Sequence, residues 1–163
     1  MNRVKQRLRQ VMDWSAAIWA GLIAGMVFLV ASMILTTIYV GSPWVVPRLI
    51  ASLALGTGVL PPPASFDLGI AVVAVAFHLL FAVAVTLLIS GTLHRWGLVV
   101  GILGGAVFGL AIYLINFYAL SYLVPWFFSM KSWIMLLSHV LFGALAGGIY
   151  EALEVEKFVP VED

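Results

Sequence analysis

Hydrophobic and polar positions are sorted along this chain into long blocks rather than short alternations. Four uncharged apolar runs stand out: Ser15–Val40, Leu68–Ile89, Gly97–Tyr122 and Trp133–Tyr150. Each is at or above the length of about 18 residues that marks a membrane-spanning helix. The pattern predicts an all-α membrane protein with one four-helix transmembrane domain over residues 15–153. Between spans one and two lies the apolar segment 41–66. Its centre runs from Pro47 to Gly56, with proline where a helix starts and glycine where it ends, so a short interfacial helix is expected there. Thr57–Pro63 then reads as a stiff extended return, and Ser65 or Asp67 as the cap of the second span.

Within the runs, small residues recur every four positions, close to one helical turn. Ala17, Gly21 and Gly25 form one such stripe, and Gly97, Gly101, Gly105 and Gly109 another. A third follows His78 through Ala82, Thr86 and Ser90, and a fourth follows His139 through Gly143 and Gly147. Apolar helices gain no hydrophobic free energy by meeting in lipid, so close backbone contact along such stripes replaces it. Four glycines on one stripe lower helix propensity and require a packing reason. The stripes fit contact within the chain or between chains.

The stripes also recur as a pair. Gly21-Leu-Ile-Ala-Gly25-Met-Val-Phe28 matches Gly101-Ile-Leu-Gly-Gly105-Ala-Val-Phe108. Pro43-Trp44 matches Pro125-Trp126, and His78-Leu-Leu-Phe81 matches His139-Val-Leu-Phe142. Two copies of a helical hairpin are inferred. Each copy has two spans, so both point the same way and their pseudo-axis runs along the membrane normal. The first copy carries the longer outer connection.

Composition agrees with the membrane class. Hydrophobic residues make up 64% and charged residues 9%, against roughly 45–50% and 25% in soluble domains. The charges gather at the ends. Residues 1–14 carry Arg3, Lys5, Arg7 and Arg9 around Val4, Leu8, Val11 and Met12, which predicts a short amphipathic helix or a topology anchor running into the first span. Residues 154–163 form an acidic tail. With the N-terminus inside, Arg95 and Lys157 join those four on the cytoplasmic side, and only Arg48 and Lys131 lie outside. That imbalance predicts a multi-pass protein of a bacterial inner membrane with both termini cytoplasmic. Four basic residues are too few to indicate a nucleic-acid partner.

The sequence holds no cysteine, so disulfides and thiolate chemistry do not arise. Nucleophile, phosphate-loop and HExxH motifs are missing, and no pair of carboxylates lies within a span, which argues against an enzyme. The candidate intramembrane polar site is His78, His139 and Asn116. An ionisable group inside a membrane is a functional candidate by default. Three readings stay open: interhelical hydrogen bonds that fix packing, a path for protons or a small solute, and axial ligation of a b-type haem. No other cofactor or metal is implied. Arg48 and Asp67 form the outer-rim candidate, as an ion pair or a rim contact. His94-Arg95 is read as a cytoplasmic anchor.

Four spans, Ser42-Pro43-Trp44 with Pro47-Arg48, Gly58-Val-Leu-Pro-Pro-Pro-Ala-Ser-Phe-Asp67, and Asn116-Phe117-Tyr118 with Pro125-Trp126-Phe127 resemble a group of small bacterial inner-membrane proteins. That group is loosely similar to YagU-like proteins. Some of its members carry the label sodium:proline symporter, but such symporters resemble inverted-repeat machines of ten or more helices, whereas this chain reads as four. The reading favoured is a non-enzymatic structural or accessory protein that packs with itself, as a homo-oligomer, or with other membrane subunits. A small transporter and a haem-binding protein are the alternatives.

Overall fold

A chain with so little charge must satisfy its backbone polar groups internally wherever lipid surrounds it, and the helix does this within one segment. The computed structural model describes residues 8–161. Its elements run β1 (Leu8–Val11), α1 (Trp14–Val40), α2 (Val45–Leu55), α3 (Leu68–Leu93), α4 (Gly97–Leu114), α5 (Trp133–Leu153) and β2 (Lys157–Pro160). Four stretches are long and apolar enough to cross a membrane: Trp14–Val40, Leu68–Leu93, Gly97–Tyr122 and Trp133–Leu153. They form a helical bundle of the membrane-protein class.

Helix ends follow local chemistry. Asp13 accepts the Ser15 and Ala16 N–H groups at 3.0 and 3.2 Å and so caps α1. Asp67 accepts the Ile70 N–H at 2.9 Å and caps α3. Ser132 accepts the Met135 N–H at 3.3 Å and caps α5. Helix α1 stops at Gly41, whose φ of 81° lies in the left-handed region, where glycine carries no steric penalty. The third span loses regular α geometry before its end. It passes through a π turn over Ile115–Ala119 and a 3-10 turn over Leu120–Tyr122.

The expected N-terminal helix is overturned over its described part. Leu8–Val11 is extended and pairs antiparallel with Lys157–Pro160, in the register Leu8 to Pro160 and Val11 to Lys157. A helix this short is poorly nucleated in isolation. The tail segment Lys157-Phe-Val-Pro160 offers β-forming side chains instead, and pairing satisfies both backbones. Arg3, Lys5 and Arg7 lie outside the described residues. The acidic tail is therefore partly structured, and the ribbon brings both ends of the described chain to one side of the bundle. Asp13 joins the ribbon to the spans. Its second carboxylate oxygen accepts the Val155 N–H at 3.3 Å, and its own N–H donates to the Tyr150 hydroxyl at 3.2 Å. The hydrogen bond from Ala16 holds the Asp13 carboxyl below its ordinary value of 3.8. Those from Val155 and Ser15 and the nearby Lys157 act in the same direction, and desolvation opposes them.

Helix α1 packs between α3 and α5, α5 packs most extensively against α4, and α3 meets α4 at few positions. The glycine stripes lie at the tight contacts. A Cβ on Gly25 would come within 2.7 Å of the Ala82 Cβ, and one on Gly21 within 2.8 Å of the Val83 Cα and 3.2 Å of Thr86. Between α4 and α5 the backbones themselves touch. Gly105 faces the Gly143 carbonyl, Gly109 the His139 carbonyl, and Gly147 the Gly101 carbonyl, each too close for any Cβ. Gly97 departs from its expected place in this seam. Nothing lies within 4 Å of its Cβ position, and its φ is 75°. It permits the turn from α3 into α4 rather than a helix contact.

Helix α2 covers the end of the bundle opposite the ribbon. Its Val46 is buried in one cluster with Tyr113, Phe117 and Met135, and the Trp126 indole donates to the Ser52 hydroxyl at 2.9 Å. Residues 57–59 form a single 3-10 turn before the proline-rich return.

Two outcomes test this packing. Gly105→Leu is expected to destabilise the protein by about 1–3 kcal/mol or more through overpacking. Leu110→Ala, on a side chain 38% exposed, is expected to cost within about 0.5 kcal/mol. Thermal melts in detergent compare them, and equal tolerance would mean that the Gly105 stripe does not hold α5. For Asp13, a folded pKa below the unfolded one means stability that is present above pH 3.8 and lost as pH falls through the folded value. Asp13→Ala is expected to cost about 1 kcal/mol at neutral pH. Asp13→Asn should flatten the decline in melting temperature below pH 4, measured against the unsubstituted protein.

Candidate functional site

The site forms where α3, α4 and α5 meet the middle of α1. The two histidines, expected as equivalent partners, are brought to one cleft, and Asn116 joins them. The cleft has a volume of about 90 Å³ and is lined by His78, Phe81, Ala82 and Val85 of α3, Phe28 of α1, Ile112 and Asn116 from the third span, and His139 and Phe142 of α5. It lies between α3 and the third span, and α3 and α4 meet at few positions.

Each histidine is placed by the glycine next to it. On α3, His78 reaches across to α1 because Gly25 lets the two helices approach, and its Nε2 lies 2.8 Å from the Gly25 carbonyl oxygen. A carbonyl only accepts, so Nε2 carries the proton and donates. On α5, His139 Nδ1 lies 2.7 Å from the Met135 carbonyl of its own helix and donates to it. Its Nε2 is then the acceptor and lies 3.2 Å from the Asn116 Nδ2, which donates. The His139 imidazole, donating from one nitrogen and accepting at the other, is therefore neutral in this arrangement. Asn116 reaches His139 from within the π turn. A π turn adds a residue to the helical repeat and so changes which side chains face a neighbour.

Aromatic rings enclose the pair. Phe28 stacks on His78 with centroids 5.4 Å apart and rings 17° from parallel. The same ring meets His139 edge-on at 5.1 Å. Tyr113 and Phe117 meet His139 edge-on at 5.8 and 5.7 Å. His139 is buried, at 7% exposure, and His78 is half-buried. Haem ligation does not fit these residues. Both ring nitrogens of His139 are engaged, the Nε2 of His78 is held by Gly25, and the cleft is far smaller than a macrocycle. Among the described residues, no group of three His, Cys, Asp or Glu side chains could hold a metal ion.

The outer-rim candidates are not brought together. Arg48 donates from Nε and Nη1 to the Ser65 and Val59 carbonyls at 3.0 and 2.7 Å, and so fastens the return segment to α2. Asp67 instead caps α3. His94 donates from Nδ1 to the Ser90 carbonyl at 3.1 Å and closes the end of α3. Phe28 was not singled out, although it closes the Gly21–Phe28 repeat match, and that position was the available signal. Asp13 and Tyr150 gave none, because they are linked only through the fold. Ser90 Oγ and Glu151 Oε1 are buried without a hydrogen-bond partner among the described residues.

Comparison with protein-family models, curated proteins and solved structures finds no match. The resemblance to YagU-like proteins therefore rests only on the residues quoted for it.

The Asn116–His139 bond can be tested by a double-mutant cycle. Asn116→Leu and His139→Phe are each expected to cost about 1–2 kcal/mol, because each leaves a buried polar partner unpaired. The double variant should cost less than the sum. Additive losses in detergent melts would show that the two side chains do not support each other.

Proposed function

We propose that this chain is a non-enzymatic structural or accessory protein of a bacterial inner membrane, with both termini in the cytoplasm. The observation that carries the reading is how the two intramembrane histidines are bonded. His78 binds the α1 backbone and His139 binds Asn116, so their polarity joins neighbouring helices. Further support comes from the glycine stripes, which are taken up inside the chain. A partner subunit or second copy would therefore meet the outer faces of α3 and α4. The resemblance to small four-helix inner-membrane proteins points the same way.

The duplicated-hairpin reading is part of this proposal. Its support is the matching register: Gly25 faces Ala82 and Gly21 faces Thr86, while Gly105 faces Gly143 and Gly101 faces Gly147. These pairs are equivalent under the alignment of His78 with His139. In this reading α2 is the outer helix of the first hairpin, on the periplasmic side, and the ribbon is cytoplasmic.

A second reading has one observation in its favour. The polar edges of His78, His139 and Asn116 converge on a cleft in an otherwise apolar bundle, as a proton or small-solute path would require. Proteoliposomes loaded with a pH-sensitive dye separate the two. The structural reading expects no proton flux above that of empty vesicles, and a stability loss of about 1–2 kcal/mol in His78→Ala. Flux that His78→Ala abolishes would establish the second reading and overturn the first. Orientation has its own test. Reporter fusions at Trp96 and after the tail should report cytoplasm and one at Gly58 periplasm, whereas a periplasmic tail would reverse the assignment.

A further inference from the structure

On the other side of Phe28 and Phe142 from the histidine cleft, three cavities share lining residues and run one into the next, two along the seam between α1 and α5 and the third between the end of α1, α2 and the return segment. The deepest, of about 250 Å³, begins at Val27 and Leu145 and is almost wholly apolar. The second, also about 250 Å³, shares Leu35, Tyr39 and Ile134 with it. The third, about 400 Å³, shares Val40, Ser129 and Met130 with the second and ends at Arg48. From Val27 to Val40 a helix rises roughly 20 Å at about 1.5 Å per residue. One leaflet of hydrocarbon is about 15 Å deep, half of a 30 Å core. The groove thus has the length of an acyl chain and ends where a headgroup would lie.

Its mouth is chemically distinct from its floor. Tyr39 and Trp133, 63% and 67% exposed, flank the groove where it turns from apolar to polar, as aromatic residues do at a membrane interface. Beyond them stands Arg48. Three of its five N–H groups face the return segment, toward the Ser65 carbonyl, the Val59 carbonyl and, at 3.5 Å, the Ser65 hydroxyl. Two remain for another acceptor. No acidic side chain lines any of the three cavities. Asp67, the nearest acid in sequence, is turned to the start of α3.

We propose that this groove is a binding site for one anionic phospholipid. An acyl chain lies between α1 and α5, and the phosphate meets Arg48. The site needs only a bundle seated in a bilayer, so it stands or falls independently of the role of the histidines. An apolar floor alone would accept any lipid tail or a neighbouring helix. A guanidinium with spare donors, unopposed by carboxylates, selects a net negative headgroup.

The test is native mass spectrometry of the full chain, stripped of lipid in detergent and offered equal amounts of phosphatidylglycerol and phosphatidylcholine. One retained phosphatidylglycerol per chain is expected, with a preference of roughly tenfold, the size of one charge-assisted hydrogen bond. Ala31→Phe fills the floor of the groove without touching Arg48 and should abolish retention of either lipid. Arg48→Lys should keep the preference and Arg48→Gln should remove it. Melting temperature in detergent alone shows whether each variant is folded. Equal retention of both lipids by the unsubstituted chain would overturn the proposal, because it needs no variant to fold. Undiminished retention by folded Ala31→Phe, or a dimer that binds no lipid, would overturn it as well.

Discussion

Contact of helix backbone on helix backbone at glycine is the constraint on which the rest of this structure depends. Where Gly105 and Gly109 meet Gly143 and the His139 carbonyl, α4 and α5 approach more closely than side chains would permit. In lipid, such closeness is what dispersion forces and weak polar contacts can act through. That approach also sets the distances at the site. Asn116 lies two turns beyond Gly109 and can reach His139 only because the helices are already in contact. The same holds for Gly25, whose carbonyl becomes an acceptor for His78 because the glycine leaves it uncovered.

Polar groups inside the bundle show how little freedom the surroundings leave. The hydroxyls of Ser32, Thr36, Thr86 and Ser138 each donate to a carbonyl three or four residues earlier in their own helix. They satisfy themselves locally and specify no neighbour. The histidines differ because an imidazole has two nitrogens and a longer reach. His139 satisfies one nitrogen within its helix and extends the other to Asn116. The pair therefore carries specificity that hydroxyls alone do not supply, and Phe28 fixes both rings by packing between helices.

The two ends of the bundle are closed by different means. At one end, Asp13 ties the start of α1 to the segment after α5, and the ribbon of Leu8–Val11 with Lys157–Pro160 continues that link. At the other, α2 packs mainly on α3 and α1, and Arg48 and the Trp126–Ser52 bond fasten the return segment and the turn after the third span to it. No ribbon residue lines the histidine cleft or the groove that starts between α1 and α5, whereas α2 and the return segment line that groove's outer end.

The sequence by itself determined the number of spans, their approximate limits and the stripes on which they pack. These depend on local properties: uninterrupted apolar length, glycine spacing, and a capping residue, Ser65 or Asp67, before the second span. It also nominated His78, His139 and Asn116, because polar side chains are conspicuous in apolar runs. Tertiary structure alone decided what those residues do. Asn116 meets His139 only after a π turn rotates it toward α5, and no local signal marks that turn. Gly97 looked like part of a seam because its spacing fits, yet its backbone conformation belongs to a turn. Arg48 and Asp67 were drawn together by opposite charge, but backbone carbonyls and a helix end were nearer partners for each. The N-terminal segment showed helical periodicity, yet Leu8–Val11 within it is a strand because the tail arrives beside it. Pairing partners far apart in sequence leave no periodic trace, since the free energy that selects them comes from the contact itself.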